Sequence, residues 1–249
     1  MNVNIVHYEE IDSTNTEVRR LSLKGAEEGL VVTAKKQTAG KGRRGRSWES
    51  PADDNLYFSV LLRPVFSPEK APMLTLLMAY SVAKALQKKN INIEIKWPND
   101  LVLSKKKICG ILTEMNLAEG QVEDVIVGVG LNVNTMRFSE ELDDKATSLT
   151  IELGRKLECG ELLGWILEEF EERYHQFLEV QDLSFLQEDY NGMLINRNRE
   201  VLVLEPGNEY QAEALGINEL GELLVKKTDG RIEAVFAGEV SVRGIYGYV

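Results

Sequence analysis

The chain has 249 residues, 43% hydrophobic and 28% charged, a globular composition that excludes disordered, fibrous and collagen-like classes. Forty acidic residues against 29 basic ones give a net charge of −11, which argues against a protein that coats nucleic acid or an anionic membrane. Two histidines leave little room for a His-based triad or a multi-His metal site, and the longest uncharged apolar run, 13 residues over 71–83, is too short to span a bilayer.

The N-terminus lacks a basic start followed by an apolar core, and the two cysteines, Cys109 and Cys159, form no CxxC pair, so a cytoplasmic protein is expected. Residues 3–8 alternate and predict a strand. Asp12-Ser13-Thr14-Asn15-Thr16-Glu17 predicts a helix start, with Thr14 and Glu17 as a capping box, Val18 and Leu21 on the apolar face and Gly25 near the stop. Residues 30–36 read as a second strand, followed by a loop without periodicity to Asp54 and a third strand over 55–63. Residues 68–89 place Met73, Leu76, Leu77, Tyr80, Ala83 and Leu86 at helical spacing and predict a core helix. Strand-like runs follow at 93–97, 101–103, 107–117 and 122–133. A helix over 161–178 carries Leu163, Ile166, Phe170, Tyr174 and Phe177 on one stripe. From Asn196, β runs at 200–204, 209–215, 222–227 and 232–242 alternate with turn signals, the pattern of a small β-barrel.

Six of the 29 basic residues lie between Lys35 and Arg46, leaving 23 against 40 acids elsewhere. Positive charge gathered in a glycine-rich loop on an acidic protein points to a small anionic ligand, which glycines let the backbone approach. Gly40-x-Gly42-x-x-Gly45 satisfies the dinucleotide fingerprint on paper, and Gly40 to Ser47 nearly satisfies a P-loop. Both motifs require a helix to follow, whereas Ser47-Trp48-Glu49-Ser50-Pro51 leads toward a strand, so both are rejected. On its own the loop reads as well as a solvated patch or an Arg-Gly RNA-binding segment. Lys96-Trp97-Pro98-Asn99-Asp100 forms an extended break that either aims polar side chains at a ligand or serves as a plain turn. Gly110, Gly128 and Gly130 within apolar strands mark a ligand wall or, equally, bulges and tight packing.

Taken together, the DSTN, QTAGKGRRGRSW, KWPND, KICGILTE and GVGLNVN segments resemble the biotin–protein ligase family, over nearly the whole span from Ser13 to Arg243. The resemblance implies an α+β fold: a mixed sheet with helices of the class II synthetase-like type over residues 1–190 and an SH3-like barrel over 191–249. It implies activation of biotin by ATP to biotinyl-5′-adenylate, with Mg²⁺ accompanying ATP and no confident direct protein ligand for the metal. Biotin then passes to a lysine of a biotin carboxyl carrier domain. Carried over by position, Ser13, Thr14, Asn15, Gln37, Lys41, Gly42, Arg43 and Lys107 would hold biotin. Lys107 and Arg43 would serve as the catalytic cations at the carboxylate and phosphate. Arg46, Trp48, Lys96, Asn99, Asn132 and Arg243 would face ATP. Lys41 departs from the arginine usual at its position and cannot form a bidentate fork. Asp100 and Lys107 are the candidate bases for the transfer step. Many bacterial members of the family carry a DNA-binding domain ahead of the ligase; with twelve residues before Ser13, a ligase without DNA or membrane partners is expected, and homodimerisation stays open. A lipoate-type ligase is the alternative.

Overall fold

The computed structural model describes the backbone of residues 1–52, 54–205, 207–237 and 241–244, and the side chains of the same residues apart from 205 and 241–244. Strands β1 (Asn4–Ile11), β2 (Leu30–Gln37), β3 (Leu56–Leu62), β4 (Glu94–Lys96), β5 (Asp100–Leu103), β6 (Lys106–Ala118) and β7 (Gln121–Leu131) form one sheet in the order β1-β2-β3-β7-β6-β5-β4. Only β1 and β2 run parallel, because helix α1 (Thr14–Ser22) supplies the crossover between them; the remaining pairs are antiparallel. Helices on both faces leave β3 buried along its whole length, which is why that strand reads as a continuous apolar run rather than an alternating one.

On one face, Val18 of α1 packs with Leu30, Val32, Leu61 and Ile126 in a small cluster. The opposite face carries the main core. Helix α2 (Ala71–Gln87) is apolar on all sides because the sheet lies beneath it and α4 (Cys159–Val180) covers it; Leu74, Leu77, Met78 and Val82 are fully buried. The α4 stripe buries Ile166, Phe170, Tyr174 and Phe177 as the 3.6-residue period requires. No helix among the described residues is long and apolar enough to cross a membrane.

Two short helices were not expected from the pattern. Helix α3 (Leu149–Leu153) is held by its ends: Ser148 Oγ accepts from the Ile151 amide, and Gly154 closes the helix in the left-handed conformation. Helix α5 (Gln187–Met193) straddles residue 190 and docks through Asn191, whose side chain meets the Ile217 amide and carbonyl. The C-terminal strands β8 (Arg199–Glu205), β9 (Asn208–Ile217), β10 (Leu223–Lys227), β11 (Ile232–Val235) and β12 (Ser241–Gly244) form an antiparallel sheet in the order β11-β10-β9-β8-β12. The expected single run over 232–242 is therefore two strands placed at opposite ends of the sheet, and no closed barrel forms among the described residues. The expected capping box is also absent. Ser13 occupies the N-cap, and Thr14 is the first helical residue with its hydroxyl engaged by Ser59 and Gln37. Glu17 instead takes the Tyr8 hydroxyl and Arg20.

Candidate active site

The glycine-rich loop folds back on itself. Gly42 donates to the Arg46 carbonyl at 2.7 Å, Trp48 donates to the Gly40 carbonyl at 2.9 Å, and Lys41 bridges to Ser47. A single 3₁₀ turn over Arg43–Gly45 is its only helical content, with Arg44 at φ 57°, so neither rejected phosphate motif has the helix it would need. This hairpin lies over a cavity of about 730 Å³ on the α1 face of the sheet, within the size range of small-molecule sites. Every site residue expected from the sequence lines this cavity except Arg243, whose side chain lies outside the described residues.

One end of the cavity is a buried polar cluster. Ser13, Thr14 and Asn15 are 2%, 4% and 4% exposed at the start of α1, so any ligand that reaches them is stripped of water. Gln37 Oε1 accepts from the Thr14 amide at 2.9 Å, and its Nε2 donates to Ser50 Oγ at 2.8 Å. The strands beneath must be smooth. A Cβ on Gly128 would lie 1.9 Å from Asn15 Oδ1, and one on Gly130 would lie 2.5 Å from the Trp48 indole. Trp48 thus rests on the paired Gly110 and Gly130, and these glycines serve close packing and the ligand wall together. Gly128→Ala is expected to lower stability by about 1–3 kcal/mol in urea unfolding through this overlap. Gly160→Ala, with open space around its Cβ in α4, is expected to cost nothing.

The middle of the cavity is cationic. Lys107 Nζ sits 2.6 Å from Asp100 Oδ1 and 5.1 Å from the centre of the Trp48 ring. Arg43 donates to Asn99 Oδ1 at 3.0 Å and to the Ala237 carbonyl at 2.5 Å, joining the loop to the Pro98 turn and to the segment after β11. Burial pulls the Arg43 pKa below its usual value, Asp100 acts in the opposite sense, and Arg46 and Arg44 add to the lowering. Lys96 is 5% exposed, opposite Asp100 in the β4–β5 pair. Seven cationic side chains against three carboxylates line the cavity, so the field inside it opposes the sign of the whole chain and favours an anionic ligand. Burial pushes the Cys109 thiol well up, which leaves it inert as a nucleophile.

A strap over residues 135–148 closes the far end, with Arg137, Phe138, Leu142 and Lys145 on the cavity. Asn132 is in the wall as expected, and its Nδ2 holds the strap through the Thr147 carbonyl at 3.2 Å. The Lys107 amide donates to the Lys145 carbonyl at 2.8 Å, and Asn55 Oδ1 accepts from the Val133, Asn134 and Thr135 amides. Sequence reasoning missed the strap: its only mark is the loss of hydrophobic pattern after Asn134. The Trp48 indole N–H is buried over Gly130 with no acceptor among the described residues.

The family model for the biotin/lipoate A/B protein ligase family matches residues 8–132, and that for the biotin protein ligase C-terminal domain matches 198–243. The chain is 35% identical to the bifunctional ligase/repressor BirA of Bacillus subtilis, over 97% of this chain and 75% of that protein. It is 32% identical to the biotin–[acetyl-CoA-carboxylase] ligase of Mycobacterium tuberculosis, over 92% of this chain and 85% of the relative. The structure of the Aquifex aeolicus biotin protein ligase in complex with biotin and ATP superposes with a TM-score of 0.85 at 31% identity, covering 97% of this chain and 99% of that one.

Proposed function

The chain belongs to the biotin/lipoate A/B protein ligase family, and we propose that it is the ATP-dependent biotin ligase among the chemistries that family covers. The observation that carries this reading is the continuity of the cavity. It joins a buried hydrogen-bonding end at Thr14 and Gln37 to a cationic middle at Lys107 and Arg43 and an aromatic lid at Trp48. A ligand with a polar ring head, a carboxylate and a nucleotide matches that sequence of environments. Lipoate, whose dithiolane ring has no N–H or C=O, would leave the buried polar end unmatched.

In the first half-reaction the biotin carboxylate attacks the α-phosphorus of ATP, forming the carboxyl–phosphate bond and expelling pyrophosphate. The carboxylate is already a nucleophile, so the protein's task is to bring two anions together and stabilise charge on the phosphorus oxygens. Ser13, Thr14, Asn15, Gln37 and the backbone of Lys41 and Gly42 bind biotin, while Lys107 and Arg43 act at the reacting groups. Arg46, Lys96, Asn99 and Asn132 face the nucleotide, Trp48 covers its base, and Arg243 is assigned to ATP on sequence position alone. Mg²⁺ would accompany ATP and supply neutralisation of the phosphate charge, beside the cationic side chains Arg43, Arg46, Lys96 and Lys107. In the second half-reaction a lysine amine of a carboxylase's biotin carrier domain attacks the activated carbonyl, loses a proton for which Asp100 and Lys107 are the candidate acceptors, and releases AMP. The catalytic unit is assigned to 1–190 and the accessory unit to 191–249, acting in the cytoplasm.

The test is exchange of labelled pyrophosphate into ATP. Biotin should support it and lipoate should not. Equal exchange with lipoate, or none with biotin, would replace this reading.

A further inference from the structure

Two side chains that do not line the cavity stand behind its polar end. Ser59 of β3 is fully buried, with its Oγ 2.8 Å from Thr14 Oγ1 and 2.6 Å from Asn15 Oδ1. Glu114 of β6 has its Oε2 2.8 Å from Asn15 Nδ2, and the Leu112 carbonyl lies 3.4 Å from the same nitrogen. Neither Ser59 nor Glu114 reaches the cavity surface.

The chemistry of these groups gives every proton a direction. A carboxylate and a carbonyl can only accept, so they fix the Asn15 NH₂ toward Glu114 and Leu112 and turn its Oδ1 toward Ser59. Oδ1 can only accept, and the one Ser59 proton therefore goes to it. The Ser59 oxygen is left as an acceptor for the Thr14 hydroxyl. A second chain runs the same way. Ser50 Oγ donates to the Trp48 carbonyl at 3.3 Å and accepts from Gln37 Nε2. Gln37 Oε1 is thereby fixed toward Thr14, where it accepts the backbone N–H at 2.9 Å and lies 3.2 Å from the hydroxyl. Both routes available to the Thr14 proton lead into the protein. Toward the cavity, Thr14 offers only lone pairs.

We infer that Ser59 and Glu114 are positioning residues that lock Thr14 as a hydrogen-bond acceptor, so that the site selects a ligand ring bearing an N–H at that point. This rests on the reading that the ureido ring of biotin lies against Thr14. Gly128 belongs to the same device, because its missing Cβ lets Asn15 reach between Glu114 and Ser59. An isostere with oxygen in place of the N–H would present lone pairs to lone pairs and be rejected. A glutamine at 114 offers an N–H as well as an oxygen, which permits Asn15 to turn over and reverses the direction at Ser59; only the longer contact to Gln37 Oε1, at 3.2 Å, then holds the Thr14 proton, which can turn to the ligand instead.

The experiment measures pyrophosphate exchange by the full chain with biotin and with the two cyclic carbamates in which oxygen replaces one or the other ureido N–H. Wild type should show a KM about a hundredfold higher for the carbamate whose oxygen faces Thr14, the upper end of the cost of leaving one buried polar group unsatisfied. Ser59→Ala and Glu114→Gln should each raise KM for biotin about tenfold, with kcat and KM for ATP unchanged and no loss of affinity for that carbamate. Discrimination then shrinks about tenfold in each variant. Should Ser59→Ala fail to fold, the near-isosteric Glu114→Gln carries the test. Equal weakening of biotin and carbamate would assign both residues a merely structural role and overturn the inference, as would unchanged discrimination. Thr14→Val separates the two levels: a raised KM for biotin alongside inert Ser59 and Glu114 variants overturns the inference alone. An unchanged KM in Thr14→Val removes the placement of biotin as well.

Discussion

Lys107→Ala is expected to slow biotinyl-adenylate formation by about two to three powers of ten while KM for biotin changes little, the size of effect seen when one preorganised charge partner is removed from a transition state. The lysine ammonium is held 2.6 Å from Asp100 and against the Trp48 ring, at the floor formed by Gly110, so it cannot swing away as charge develops. A fixed cation acts most where the charge changes most, which is on the α-phosphate oxygens during attack. Truncation has a second consequence. Asp100 loses its ion pair with Lys107 and its negative charge faces two anionic substrates less compensated, so the loss of rate includes new repulsion as well as lost attraction. Single-turnover formation of the adenylate reads the step directly. A rise in KM for biotin with kcat intact would make Lys107 a binding residue and remove its catalytic role.

The legible part of this molecule was the part written locally. Helix α2 could be placed because its apolar residues recur over 17 positions, and α4 because its stripe is uninterrupted. The glycine-rich loop was correctly separated from the helix-borne phosphate motifs, because Pro51 and the following turn prohibit the helix. What stayed hidden depends on partners far away in the chain. Thr14 followed by Glu17 has the spacing of a capping box, but Ser59, 45 residues on, recruits the Thr14 hydroxyl for the cavity wall. The strap over 135–148 has no pattern of its own since it is held by backbone bonds to Lys107 and by the side chains of Asn55 and Asn132. The run at 232–242 alternates like one strand, yet its two ends pair with β10 and β8 on opposite sides of the sheet, a choice made by register rather than by composition. Of the cavity, the residues that line its polar and cationic parts were legible by type, whereas those packed behind them were not.

Arg43→Gly is expected to form biotinyl-adenylate yet fail to retain it. A mixed anhydride acylates any amine and hydrolyses in water, so the loop must stay closed until the carrier lysine arrives. The structure makes Arg43 the tie that closes it: one guanidinium nitrogen holds Asn99 in the Pro98 turn and the other holds the Ala237 carbonyl of the C-terminal segment. Glycine removes both bonds and adds backbone freedom next to Gly42 and before Arg44, which already adopts a left-handed conformation. The chemistry suffers less, because Lys107, with its own partner in Asp100, keeps its place on the strand. A hydrogen bond from a charged group is worth about 1.5–3 kcal/mol, enough for roughly ten- to hundredfold faster release of the intermediate. The adenylate dissociation rate should therefore rise by that factor, and lysines of bystander proteins that wild type ignores should become biotinylated. Proximity to the enzyme should set which bystanders are labelled, since the released anhydride decays as it diffuses. An unchanged dissociation rate would mean that the strap and Trp48 hold the loop without Arg43, and that its two hydrogen bonds serve the docking of the C-terminal sheet instead.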